Sequence, residues 1–234
     1  MTDTPALRNL TGSGYCLLRP EETGRRLDAD PDRWAKFDRH WDDLVPDPYV
    51  ETAGVVRLRR YGHFGMRPTG ETAARPHEGF LQPEASNPLY LDQERHFEPL
   101  TPDFAADPLF AAVLGLLAEA AGLLADPPEW TVKVHPFRVV ADGGRAGLPT
   151  PEGVHRDGVT LVSSLLVARG NAAGGESTVY DGEGTPVLST VLDEPGTLLL
   201  GDDRRTLHGV SPVTPLDPGR PAYRDVLVVT FAAP

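Results

Sequence analysis

Cysteine is nearly absent. Cys16 is the single one in 234 residues, so the chain can form no internal disulfide and no site built from several thiolates. Long apolar runs are missing as well, and none approaches the eighteen or so residues that a membrane span needs. Residues 1–5 carry neither the basic nor the apolar region of a secretory leader, which makes a cytoplasmic protein the expectation. Basic residues are in deficit, 22 Lys and Arg against 34 Asp and Glu, for a net charge of −12. Binding a phosphate backbone needs a basic face, so neither nucleic acid nor membrane is an expected partner.

What the chain does have is turn formers, 24 Gly and 24 Pro, in an otherwise ordinary composition of 40% apolar and 24% charged residues. Such punctuation suits many short strands better than long helices. The length fits one domain with a real core. We read residues 1–125 as a helical, loop-rich supporting and substrate lobe and residues 126–234 as the β core.

Residues 1–50 read as helical. Asp30 and Pro31 form a cap and first-turn proline, and Trp34, Phe37 and Trp41 follow as an amphipathic stripe that should pack on a sheet. Residues 55–61 alternate as a strand does. Residues 62–97 read as irregular, broken by Pro68, Pro76, Pro83 and Pro88, and loops of this kind near a cavity often choose the substrate. A second helix, from Asp107 and Pro108 to about Leu124, is apolar nearly all round, as a buried scaffold helix is.

From Trp130 onward the pattern turns to strands, over residues 130–141, 160–168, 176–181, 187–192, 197–201, 207–213 and 224–232. Seven or eight short strands at this spacing imply an antiparallel sandwich or barrel. The fold expected is mainly β, a double-stranded β-helix (jelly roll) with helices packed outside, because that topology can bring distant strands together.

The chemistry gathers in residues 151–231. His155 and Asp157 are two residues apart, which on a strand sends both side chains to one face. Gly153 and Gly158 flank them, and a β-branched, apolar strand follows. His208 opens a later strand in the run His208, Gly209, Val210. Two histidines and one carboxylate form the facial triad of non-haem Fe(II) oxygenases, with open positions for other ligands. Zinc can use the same set, so ligand identity alone does not choose the metal. Arg224 heads a strand of Val, Leu and Val. A buried guanidinium needs a partner, and a bidentate carboxylate is a good one. That partner is either an acidic co-substrate or an internal acid such as Asp225.

In order along the chain, residues 134–138, 151–158, 174–177, 202–212 and 223–231 resemble the 2-oxoglutarate/Fe(II)-dependent dioxygenases of the bacterial L-isoleucine dioxygenase type. Residues 75–82 and 95–99 are similar too. The resemblance implies His155, Asp157 and His208 as iron ligands and Arg224 as the partner of the distal 2-oxoglutarate carboxylate. It implies Fe(II), 2-oxoglutarate and O2 as the reaction's requirements, with ascorbate as a stimulant, and hydroxylation of an unactivated C–H bond of a small molecule, a free aliphatic L-amino acid first. One departure stands out. Many such enzymes carry Ser or Thr two residues beyond the arginine, where this chain has Val226.

Further polar residues are candidates for the substrate. Arg138 and His135 lie three apart on a core strand, so at most one lines the cavity. Arg138 would take a substrate carboxylate or else sit in a structural ion pair. Glu152 and Glu176 are candidates for a substrate amine. Asp202 and Asp203 read as a turn paired locally with Arg204 and Arg205, with Asp203 available to orient His208. The alternatives are the same chemistry on a natural-product intermediate or a carrier-bound amino acid, a metal-binding jelly roll without turnover, and a cupin-like isomerase or hydrolase using Zn or Mn.

Overall fold

A computed structural model describes residues 5–50, 56–76, 95–142 and 144–234. The helices are α1 (Pro5–Ser13), α2 (Pro20–Leu27), α3 (Pro31–Asp38), α4 (Pro102–Ala105) and α5 (Pro108–Gly122). The strands of the first half are β1 (Tyr15–Leu18), β2 (Val45–Pro46), β3 (Val56–Arg59), β4 (Gly62–Met66) and β5 (Thr72–Ala74). Those of the second are β6 (Trp130–Ala141), β7 (Leu161–Gly170), β8 (Ala172–Gly174), β9 (Glu176–Tyr180), β10 (Pro186–Val191), β11 (Leu198–Asp202), β12 (Leu207–Val210), β13 (Val213–Pro215) and β14 (Ala222–Ala232).

One large antiparallel sheet runs in the order β1-β11-β7-β14-β6-β3-β2, with the β4–β5 hairpin continuing beside β6. A smaller sheet, β10-β9-β12, and the pair β13-β8 make the opposing wall. This is the jelly roll the pattern predicts. The long neighbours β6 and β14 alternate strictly. On β14, Leu227, Val229 and Phe231 join the core beneath the helices, while Arg224, Val226, Val228 and Thr230 line a cavity on the other face. On β6, Val132 and Val134 face the helices, and Lys133, His135, Phe137 and Val139 face the cavity.

The helices behave as their sequence requires. Asp30 caps α3, its side chain accepting from the Arg33 amide, with Pro31 in the first turn. Phe37 and Trp41 are fully buried, and the Trp41 indole donates to the Phe137 carbonyl at 2.9 Å. The carboxylate of Asp107 caps α5, whose apolar residues enter the main core. No helix among the described residues is long and apolar enough to cross a membrane.

Two expectations needed correction. Residues 1–50 are not all helical, since β1 pairs with β11 at the edge of the large sheet, where Leu18 is fully buried. Residues 62–97 begin with a hairpin rather than an irregular stretch, β4 pairing with both β5 and β6. The N-terminal strands thus belong to the same sheet as the β core. Residues 77–94, with most of the similar segment 75–82, lie outside the described residues.

Candidate metal centre

The two histidines meet through their backbones before their side chains do. His155 and His208 form an isolated antiparallel bridge, each amide donating to the other's carbonyl at 3.0 Å. His208 is carried by β12. His155 and Asp157 are not on a regular strand, as the two-residue spacing suggested. They lie on a loop between two left-handed glycines, Gly153 at φ 82° and Gly158 at φ 75°, a conformation that favours residues without Cβ. The imidazoles sit at 4.4 Å between ring centroids. Nε2 of His155 is 3.9 Å from one oxygen of Asp157, and Nε2 of His208 is 3.6 Å from the other. All three ligand atoms lie within 4.8 Å of one another.

This donor set fits a divalent ion. The Nδ1 of His155 lies 3.0 Å from the Gly153 carbonyl, so it carries the proton and leaves the Nε2 lone pair for a metal. Burial holds His208 below the ordinary imidazole value, ahead of the opposing pull of Asp157, which favours the neutral ring that a metal needs. Asp203 fixes the loop. Its carboxylate accepts the amides of Asp157 at 3.1 Å, Gly158 at 2.7 Å and Val159 at 3.0 Å, and lies 3.8 Å from His208 Nδ1. Burial raises the Asp203 pKa, and the Val159 amide opposes it. The local pairing expected for this turn holds only for Asp202, which takes the Arg204 guanidinium through both oxygens. Arg205 donates instead to the carbonyls of Thr11 and Gly12.

Arg224 lines the same cavity. It is 2% exposed, and its Nε and Nη2 have no hydrogen-bond partner among the described residues. Burial pushes its pKa down to about 10, with Arg169 adding to the fall and Asp225 opposing it. Its aliphatic stem runs close to Gly175, where a Cβ would stand 3.2 Å from Arg224 Cδ. The internal partner considered for it, Asp225, points to the opposite face and takes Arg138 instead, at 2.8 and 2.7 Å.

That pair overturns the substrate role considered for Arg138. Its guanidinium is outside the cavity, on Asp225 with Asp42 at 3.5 Å, and His135 is the member of the two that lines the cavity. Glu176 is likewise exposed at the start of β9 and not among the cavity-lining residues. Glu152 does line the cavity, its carboxylate 3.4 Å from His155 Nε2. The pattern reading missed Arg57, Arg59, Arg95 and Lys133, all in the cavity wall. The alternation of residues 55–61 was the available signal, because it sends Arg57 and Arg59 to one face.

Comparison with known proteins points the same way as the geometry. The family described as 2OG-Fe dioxygenase matches residues 38–230. A curated relative, the 3(1)-hydroxy-L-isoleucine 4-dioxygenase of Pantoea ananatis (strain AJ13355), is 25% identical over 86% of this chain and 81% of its own length. The crystal structure of a bsmA homologue from Methylobium petroleophilum PM1 superposes with a TM-score of 0.89 at 35% identity, covering 97% of this chain and 92% of the other. That of IDO from Bacillus thuringiensis superposes at 0.80 with 18% identity, over 100% and 97%.

Proposed function

The chain belongs to the 2OG-Fe dioxygenase family, an enzyme class that requires Fe(II), 2-oxoglutarate and O2, and from that premise we propose that it hydroxylates an unactivated C–H bond of a free aliphatic L-amino acid. The single observation that carries the site assignment is the convergence in one cavity of His155, Asp157, His208 and a buried Arg224 whose Nε and Nη2 have no hydrogen-bond partner among the described residues. The amino-acid substrate draws its support from the similarity to the Pantoea ananatis enzyme.

In this reading His155, Asp157 and His208 would hold the iron. Bound iron with 2-oxoglutarate and O2 supplies the oxidising power for inserting a hydroxyl, while 2-oxoglutarate leaves as succinate and CO2. Arg224 would receive the distal carboxylate of 2-oxoglutarate through its fork of N–H donors, which would give partners to the Nε and Nη2 that have none among the described residues. Asp203 holds the Asp157 loop in place. The apolar side chains Val162, Val226 and Val228 exclude water from the wall around the site. Glu152 is positioned to meet a substrate amine.

The test is incubation of the purified protein with Fe(II), ascorbate, 2-oxoglutarate and a mixed amino-acid pool, read by mass spectrometry. A gain of one oxygen on an aliphatic amino acid, with matching succinate, is expected. Succinate formation with no stimulation by any amino acid contradicts the substrate assignment and leaves a natural-product intermediate as the reading.

A further inference from the structure

We propose that Arg59, with Arg95 beside it, forms a second anion site in the cavity that receives the carboxylate of the primary substrate, so that the enzyme selects free acids over carrier-bound or amidated forms. The inference rests on the oxygenase reading of the same cavity.

Charge and burial carry it. Arg57, Arg59 and Arg95 are 8%, 3% and 3% exposed, and all three line the cavity. The buried carboxylate of Asp47 is shared between two of them. It takes Arg57 at 3.0 and 2.7 Å and stands 3.6 Å from Arg59 Nη1. The other polar contact of Arg59 among the described residues brings no negative charge, because its Nη2 donates to Nδ1 of His135 at 2.6 Å. Burial and the surrounding cations hold His135 well below the ordinary imidazole value, so that ring is neutral. The Nε of Arg59 is buried with no partner among the described residues. The guanidinium lies over the rings of Phe97 and Phe137, at 3.5 and 4.6 Å from Cζ to the ring centroids. The Cζ of Arg95 lies 5.7 Å from the centroid of the Phe97 ring. A desolvated guanidinium that shares the one acid beside it among the described residues, Asp47, with a better-placed arginine is a receptor for a further carboxylate.

The anchor at Arg224 does not double for this one. Arg59 stands opposite Phe137, and Phe137 opposite Val226, so Arg59 is two strands across the sheet from the strand of Arg224. At roughly 4.8 Å per strand the two backbones are about 10 Å apart. The cavity therefore offers separate cationic posts, one for the co-substrate and one for a substrate acid.

The experiment compares branched aliphatic L-amino acids with their C-terminal amides. Consumption of 2-oxoglutarate is followed in air, and binding is followed by calorimetry under nitrogen with protein carrying Fe(II) and 2-oxoglutarate. Each acid that acts should outperform its amide by about 10–100-fold in concentration, the range of a lost charge-assisted hydrogen bond. Arg59→Lys and Arg95→Gln should each raise KM for the acid while leaving KM for 2-oxoglutarate within about twofold. Equal action of acid and amide overturns the proposal, as does a panel in which no acid binds. A rise in KM for 2-oxoglutarate instead means that the cluster holds the co-substrate, which also overturns it. Basal 2-oxoglutarate consumption without any amino acid reports separately on the oxygenase reading, and its absence sinks that reading first.

Discussion

His155 and His208 are tied to each other by two backbone hydrogen bonds of 3.0 Å, amide to carbonyl in both directions. The imidazoles are therefore set by main-chain geometry that survives removal of either ring. His208→Ala should leave the thermal unfolding of the metal-free protein nearly unchanged. It should also eliminate stoichiometric Fe(II) binding in an anaerobic calorimetric titration, together with 2-oxoglutarate consumption. A cooperative loss of fold would mean that the ring is a packing element instead.

Asp203 accepts three consecutive amides of the loop that carries Asp157. Asn in its place offers one carbonyl oxygen and turns an NH2 toward amide donors. The loop should loosen, and Fe(II) affinity should fall by about 10–100-fold, the usual effect of losing a residue that orients a metal ligand. Calorimetric titration of Asp203→Asn beside the wild type measures it. Unchanged affinity would show that the loop holds itself.

Arg224 is buried with its Nε and Nη2 lacking a hydrogen-bond partner among the described residues, so its burial costs stability. Replacing an unpaired buried charge by an apolar side chain of similar volume is often neutral or stabilising. Arg224→Met should unfold at the same temperature as the metal-free wild type or higher, while KM for 2-oxoglutarate rises by about 10–100-fold for want of charged hydrogen bonds. A marked drop in unfolding temperature would indicate a structural partner.

Asp225 gives a pH dependence whose sign is unusual for a carboxylate. Burial pushes it from 3.8 up to about 6, and the hydrogen bonds from Arg138 only partly oppose the rise. Between those values the folded protein binds the proton that the unfolded chain releases. The stabilisation is full below pH 3.8 and is lost as pH rises through about 6. Asp225→Asn should remove this component, on the order of 3 kcal/mol at most, from the difference in urea midpoint between pH 4.5 and 7. An identical pH dependence in wild type and variant would contradict it.

The candidate metal ligands were legible because each sits beside a local signal, glycines around His155 and Asp157, a strand start at His208. Arg224 was legible for a similar reason, as a charge heading an apolar strand. Arg138 stayed open between a substrate carboxylate and a structural ion pair, because the partner it pairs with is one strand away rather than nearby in sequence. Asp225 stands opposite it in the β6–β14 register, and no spacing along the chain displays such a pair. The same holds for Asp203, whose three amides lie far upstream, and for Arg59, which meets His135 and Phe97 only when β3, β6 and the segment at residues 95–97 come together. Strand count and turn spacing led to a sandwich or barrel, and the need to bring His155 and His208 together across many strands led from there to the jelly roll. The edge strand β1 was hidden because Tyr15–Leu18 is only four residues long and lies between two helices.

Anomalous diffraction at the iron edge, from crystals grown anaerobically with Fe(II) and 2-oxoglutarate, tests the central claim most directly. One peak is expected about 2.0–2.2 Å from Nε2 of His155, Nε2 of His208 and a carboxylate oxygen of Asp157, with the far end of 2-oxoglutarate on Arg224. A peak elsewhere, or none at a site whose three side chains remain apart, would contradict it.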